Sequence, residues 1–156
     1  MKVTPPPSPK KGKRIPEMAR RMRAIESVRA RFENKPYRIG QSDCAKLVRA
    51  LLVAMGHKRL PKPKPYKNAI GAKRELKRLG FDSLEAMMDT LLPRIAPAMM
   101  LPGDIALIPA DPDDAAGDET MIVSLGGAKF WGWHPDHVAL VHLVPPASLI
   151  KAAWRA

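Results

Sequence analysis

The chain has 156 residues and a formal net charge of +12, with 46% hydrophobic and 27% charged residues. This composition suffices for one domain with its own core, and no apolar stretch approaches the roughly 20 residues of a membrane-spanning helix. A single cysteine excludes an internal disulfide, and the basic N-terminus lacks the apolar segment of a secretory signal peptide.

The N-terminal segment, residues 1–14, is rich in Pro and Lys, and we expect it to be a disordered basic tail. Residues 15–156 are predicted to form a single domain. From Pro16 onwards apolar residues recur every three or four positions with arginines between them, which predicts an amphipathic helix. This helix should end near Asn34, because Pro36 disfavours helical geometry at the residue before it.

A second helix is predicted in the stretch QSDCAKLVRALLVAMG, with Ser42 or Asp43 as its N-cap and Gly56 after its end. Its apolar residues cover more than one face, so this helix should be central. The only cysteine, Cys44, lies in its first turn, where unpaired backbone N–H groups and the helix dipole favour the nucleophilic thiolate. The same position also suits an inert cysteine that is buried as a small hydrophobe.

The remaining elements follow in two groups. The alternate prolines of HKRLPKPKPY predict an extended surface loop, and NAIGAKRELKRLG and DSLEAMMDTLL predict two short helices. After Pro102 the pattern changes to strand candidates, with a polar loop DPDDAAGDE after the first and a turn at Gly126–Gly127. These candidates are GDIALIP, TMIVSLGG, AKFWGW and HVALVHLV. Helices followed by strands predict an α+β protein with an antiparallel sheet.

The positive charge is concentrated in residues 10–31 and 58–78. Such a charge attracts polyanions, among them nucleic acid, teichoic acids and the acidic surfaces of other proteins. Neither segment interleaves aromatic side chains with its basic residues, and neither contains a zinc-ligand spacing or a Gly-rich phosphate loop. Nucleic acid is therefore disfavoured, and a solvated basic face that docks on an acidic partner is favoured.

The stretch PYRIGQSDC, followed by an apolar helix and then by LPGDIALI, resembles the NlpC-type cysteine peptidases, which are cell-wall amidases with a papain-like fold. In these peptidases a Tyr precedes an Asp-Cys pair that opens the central helix. The basic first helix, GAKRELKRLGF, PGDIALI and AAWR are most similar to a small uncharacterised family of this fold from prophage and phage tail gene clusters. The resemblance covers roughly residues 15–156. It implies N-terminal helices packed on a small antiparallel sheet.

The resemblance implies roles for the residues that match the motif. Cys44 would be the nucleophile, and Tyr37 would support the developing oxyanion with its hydroxyl. Asp43 matches the residue before the cysteine and would have a structural role. Gly103 and Asp104 match the turn that enters the sheet, and they would be structural as well.

The catalytic histidine of the family opens the second strand, and Thr120 occupies that place in this chain. Threonine cannot act as a base, so the Cys-His pair departs from the family pattern. His137, in the stretch DHVALV, is the best substitute base. His134 is a second candidate that could lie in a loop at the mouth of the cleft.

Two functions follow. The first is a phage tail-associated cysteine hydrolase that cleaves peptidoglycan stem peptides during cell-wall penetration, which the Tyr and Asp-Cys elements favour. The second is a catalytically inactive structural or interaction component of a phage tail or tail tip, which Thr120 favours. We expect other tail or tail-tip proteins as partners, and a location in the virion or, before assembly, in the bacterial host cytoplasm. No cofactor or metal is predicted, because the His, Asp and Cys residues lack metal-ligand spacing.

Overall fold

The computed structural model describes residues 14–109, 119–134 and 137–156. The first 13 residues of the predicted tail and most of the predicted acidic loop lie outside these ranges. The described part of the chain contains four α-helices and six strands, which are α1 (Glu17–Phe32), α2 (Cys44–Ala54), α3 (Ala69–Arg78), α4 (Leu84–Leu91), β1 (Arg94–Ile95), β2 (Ile105–Ile108), β3 (Thr120–Gly126), β4 (Lys129–Gly132), β5 (Val141–Leu143) and β6 (Ala152–Trp154).

The six strands form one sheet in the order β1-β6-β2-β3-β4-β5, and each neighbouring pair is antiparallel. Ile105 of β2 lies opposite Val123 of β3 on one side and opposite Trp154 of β6 on the other. The α+β class with N-terminal helices and an antiparallel sheet, which the sequence predicts, is confirmed.

Helix α2 is the central helix of the core, because it packs against α1 on one side and β3 on the other. Its buried residues form two adjacent pairs, Leu47–Val48 and Leu51–Leu52, which explains why its apolar positions cover more than one face. Burying a side chain of this type stabilises the fold by about 1.5–3 kcal/mol. None of the helices in the described ranges has the length and apolarity that crossing a bilayer requires.

A buried ion pair joins α1 to the turn that enters the sheet. Nη1 of Arg21 donates to Oδ1 of Asp104 at 2.9 Å, and both side chains are almost completely buried. The Asp104 carboxylate also accepts from the backbone N–H of Leu101 at 2.8 Å and of Ala156 at 3.1 Å. Each charge of this ion pair has a partner, and these contacts offset the cost of burying the two charges in the core. Asp104 thereby connects three distant parts of the chain.

Two strands are absent from the sequence-based prediction, and one is shorter than predicted. β1 has two residues and β6 has three, Ala-Ala-Trp, so neither is long enough to show an alternating pattern. The fourth predicted strand, HVALVHLV, is reduced to Val141–Leu143. The sheet is therefore completed by a strand that the sequence pattern does not reveal.

Candidate functional site

Cys44 is the first residue of α2, and its position is set by the tight turn before the helix. An isolated antiparallel bridge joins Arg38 to Ser42, and the Ser42 hydroxyl donates to the carbonyl oxygen of Pro36. The next residue, Asp43, is the N-cap, because its Oδ1 accepts from the backbone N–H of Lys46 at 2.9 Å. The observed N-cap of α2 is thus one of the two residues, Ser42 and Asp43, that the sequence predicts.

The second carboxylate oxygen of Asp43 holds two other segments. Oδ2 accepts from the backbone N–H of Gly40 at 2.7 Å and from the hydroxyl of Tyr66 at 2.8 Å. Gly40 has a φ of 82°, and a Cβ there would lie 2.0 Å from the backbone oxygen of Tyr66, so this close approach requires glycine. The carboxylate of Asp43 is therefore fully used in holding the start of α2 to the loop that precedes α3.

The thiol of Cys44 lies in an environment that keeps it protonated. The pKa of Cys44 is raised to about 11, mainly because the thiol is buried; the backbone of Met121 on β3 offsets part of this rise, and the charge of Asp43 makes a smaller contribution to it. The position at the start of a helix by itself favours a thiolate. Desolvation outweighs that effect here, because the charged form loses more hydration than the helix terminus replaces.

A cavity of about 490 Å³ lies beside Cys44. It is enclosed by α2, the loop at residues 60–66, α3, α4 and the beginning of β3. Most of its lining residues are apolar, with tyrosines and a few charged residues among them, and they include Tyr37, Ile39, Asp43, Cys44, Val48, Leu52, Leu60, Pro61, Pro63, Tyr66, Ala72, Lys73, Leu76, Lys77, Met87, Leu91, Glu119 and Met121. The structure thus brings Cys44, Asp43 and Tyr37 of the predicted site together.

Two tyrosines reach this cavity. Tyr37 is 52% exposed, and its ring contacts the ring of Trp133 edge-on with a centroid distance of 5.9 Å. Tyr66 is partly buried, and its pKa is raised by burial and by the Asp43 carboxylate, so its phenol remains a hydrogen-bond donor. Tyr66 is not among the site residues that the sequence predicts. The alternate prolines indicate an extended segment there, but no sequence signal indicates that it folds back over the start of α2.

The other predicted residues lie outside the cavity lining. His134 and His137 are exposed and follow β4, and their ring centroids are 5.8 Å apart. Thr120 is the first residue of β3 and pairs with Ile108 of β2. Within the described ranges, no histidine lines the cavity that contains Cys44. The role of His137 as a base stays a prediction.

Across residues 14–109, 119–134 and 137–156, no three His, Cys, Asp or Glu side chains form a group that could hold a metal ion. Within that part of the chain, the polar groups that line the cavity are the thiol, two phenols, the guanidinium of Arg49, the hydroxyl of Ser83, and several carboxylates and amines.

Three solved structures share this fold. The P60 domain of an antigen from M. avium paratuberculosis has a TM-score of 0.54 and 14% identity, covering 88% of this chain and 96% of that chain. RipD from Mycobacterium tuberculosis, described as a non-catalytic NlpC/p60 domain protein adapted to peptidoglycan binding, has a TM-score of 0.53 and 10% identity, covering 86% and 96%. RipB, a peptidoglycan hydrolase from the same organism, has a TM-score of 0.54 and 16% identity, covering 97% and 73%.

These identities are low, so the likeness establishes the NlpC/p60 fold alone. Among curated proteins, none matches the chain. A family model described as "Domain of unknown function (DUF6950)" matches residues 13–156. The chain therefore belongs to the DUF6950 family, and its domain has the fold of the NlpC/p60 proteins.

Proposed function

We propose that this protein is an interaction component of a phage tail or tail tip, which uses the NlpC/p60 fold to bind a partner and does not hydrolyse peptide bonds. One observation carries the proposal: Cys44 lies beside a cavity that no histidine of the described ranges lines. Attack by a thiol on an amide needs a base within hydrogen-bond reach to take the proton and later to protonate the leaving amine. Thr120, at the family histidine position, cannot do this.

The state of the thiol supports the same proposal. Catalytic cysteines have a pKa lowered by a cationic neighbour or a helix terminus, so that thiolate is present at neutral pH. Burial, with a smaller contribution from the neighbouring Asp43, raises the pKa of Cys44 to about 11. These surroundings suit a cysteine that forms part of the wall of a binding cavity.

The fold is compatible with a binding role. RipD is described as a non-catalytic protein whose NlpC/p60 domain is adapted to peptidoglycan binding, whereas RipB is a hydrolase. The assignment to a phage tail rests on the order of sequence elements that this chain shares with the prophage and phage tail family.

A second candidate function is the cleavage of peptidoglycan stem peptides by Cys44. Its support is that Cys44 and Tyr37 line the same cavity, as a nucleophile and an oxyanion donor would. The ring of Tyr37 also contacts Trp133, which is adjacent in sequence to His134. In this mechanism His137 takes the proton of Cys44 as the sulfur attacks the amide carbonyl, and Tyr37 stabilises the oxyanion. His137 then returns the proton to the leaving amine as the C–N bond breaks, and water hydrolyses the resulting thioester to release the acid and restore the thiol.

One experiment separates the two functions. Purified sacculi are incubated with wild-type protein and with Cys44→Ala, His137→Ala and Tyr37→Phe, and the soluble fraction is searched for peptide fragments by mass spectrometry. The interaction role predicts no release by any variant and co-purification of the protein with tail proteins from the same gene cluster. Release that Cys44→Ala and His137→Ala both abolish would instead establish the hydrolase. Absence of the protein from purified tails would contradict the tail assignment.

A further inference from the structure

We propose that the cavity and the basic segment beside it form one docking site for an acidic segment of a partner protein, which inserts an apolar side chain into the cavity. This inference rests on the proposed interaction function and names the chemistry of the partner. We call residues 58–78 the cationic rim. It contains nine basic residues and a single acidic residue, Glu75.

Side chains along the loop before α3 alternate between the cavity and solvent. Pro61 and Pro63 line the cavity, whereas Lys62 and Lys64 between and after them are exposed. An extended proline-rich backbone directs neighbouring side chains to different sides. The loop therefore presents apolar groups to the cavity and ammonium groups to solvent at its edge.

Helix α3 continues this arrangement. Its residues Ala72 and Leu76 line the cavity, as do parts of the Lys73 and Lys77 side chains. Lys73, Arg74 and Lys77 are all exposed on the helix surface. The loop and α3 thus place cations at the edge of the cavity, whose lining also includes the carboxylates of Glu75 and Glu119.

Much of the charge of the cationic rim has no ion-pair partner among the residues that the structure describes. Within the described ranges, the ion pair of the rim is Arg78 with Glu75, at 2.9 Å. Lys58, Arg59, Lys62, Lys67, Arg74 and Lys77 form no ion pair with any residue that the structure describes. Helix α1 is also only partly neutralised, since Arg21 and Arg29 of its five arginines are paired with acidic residues. Clustered unpaired cations attract an anionic segment, and salt screens that attraction.

The aromatic content of the rim and the apolar cavity favour a protein segment over a nucleic acid as the partner. Binding of single strands depends on exposed aromatic rings that stack on bases. The aromatic residue of the rim is Tyr66, and its hydroxyl is bonded to Asp43 while Lys46 lies over its ring at 5.7 Å. A cavity of about 490 Å³ with mostly apolar walls instead suits an apolar side chain, and its volume lies within the usual range of ligand pockets.

The test uses fluorescence anisotropy with a labelled synthetic peptide that carries Asp and Glu residues on both sides of a central Leu-Phe pair. We expect the full chain to bind it, with affinity roughly tenfold weaker at high salt. The paired reversal Lys62→Glu with Lys77→Glu should weaken binding about tenfold or more. The matched control, Arg20→Glu with Arg23→Glu on α1, makes the same change in net charge on another surface and should leave the affinity unchanged.

The apolar half of the site is tested separately. Replacing the central Leu-Phe of the peptide by Ser-Ser should weaken binding, and Ala72→Phe, which fills the cavity, should do the same. The peptide change needs no mutation of the protein, so the test holds even if Ala72→Phe does not fold. The proposal would be overturned if both charge-reversal pairs weakened peptide binding equally, or if the Ser-Ser peptide bound as tightly as the Leu-Phe peptide. Tighter binding of a single-stranded oligonucleotide than of the peptide would also overturn it. The sacculus assay tests the proposed non-hydrolytic function independently. Failure of the docking proposal can therefore be distinguished from failure of the proposed function.

Discussion

The hydroxyl of Tyr66 donates a 2.8 Å hydrogen bond to Oδ2 of Asp43, the N-cap of α2, across 23 positions of sequence. The turn that carries Cys44 is thus completed by a residue from the loop before α3. The same bond holds that loop over the cavity, so the shape of the candidate site and the start of the central helix depend on one contact.

We expect Tyr66→Phe to lower the free energy of unfolding by about 1–3 kcal/mol, because a hydrogen bond to a charged acceptor is lost. Urea denaturation followed by circular dichroism measures the change. A double-mutant cycle with Asp43→Ala should give a coupling energy of about 1 kcal/mol. As a control, Ser83→Ala removes an N-cap that bonds only Ala86 on α4, and it should show no coupling to Tyr66→Phe. Additive effects of the Tyr66 and Asp43 changes would contradict the prediction.

Gly40→Ala should be more destabilising than Gly56→Ala. Both residues have positive φ, so both substitutions carry the same kind of backbone strain, of order 1 kcal/mol. Only at Gly40 does the added Cβ meet backbone, the oxygen of Tyr66 at 2.0 Å, whereas nothing lies within 4 Å of a Cβ at Gly56. The extra cost should appear as a lower urea midpoint for Gly40→Ala, and equal midpoints for the two variants would argue against the close approach.

Alkylation of Cys44 should be slow in the folded protein at neutral pH. Because burial raises its pKa to about 11, the thiolate fraction at pH 7 is lower than that of a free cysteine by roughly a hundredfold or more. The rate of reaction with iodoacetamide should rise about tenfold per pH unit up to that pKa, as long as the protein stays folded. Mass spectrometry of intact protein measures the rate, with urea-unfolded protein as the reference. A rate that is already maximal near pH 7 would indicate an activated thiol and would favour the hydrolase.

Arg21→Met should be strongly destabilising, by about 3 kcal/mol, because it removes one member of a buried ion pair and leaves Asp104 less compensated. Arg29→Met on the same helix removes an exposed arginine that pairs with Glu26 and Glu33, and it should leave the denaturant midpoint unchanged. Similar midpoints for the two variants would show that the Arg21–Asp104 pair does not contribute as its burial suggests.

Periodicity identifies the helices of this fold well, because each has several turns or a recognisable cap. Asp43 and Ser83 both act as N-caps, and Asp43 is one of the two N-caps that the sequence predicts for α2. The short strands β1 and β6 are not predicted, since two or three residues cannot show an alternating pattern, and only pairing with distant strands makes them extended.

The sequence predicts only part of the candidate functional site. Cys44, Asp43 and Tyr37 are close in sequence and lie on either side of one tight turn, so a local motif identifies them. Tyr66 reaches the same place through a tertiary contact that no local pattern encodes. The raised pKa of Cys44 depends on its neighbours in the folded core, so the position at the start of α2 alone indicates the opposite state.

The position of β6 has a consequence for biosynthesis. This strand lies between β1 and β2, although it follows all the other described elements in the chain. During translation β1 and β2 leave the ribosome before β6, and they have no direct pairing with each other until it arrives. A nascent chain that stalls before Ala152 would therefore expose two unpaired strand edges, so co-translational chaperone contact should be strongest just before the sheet closes.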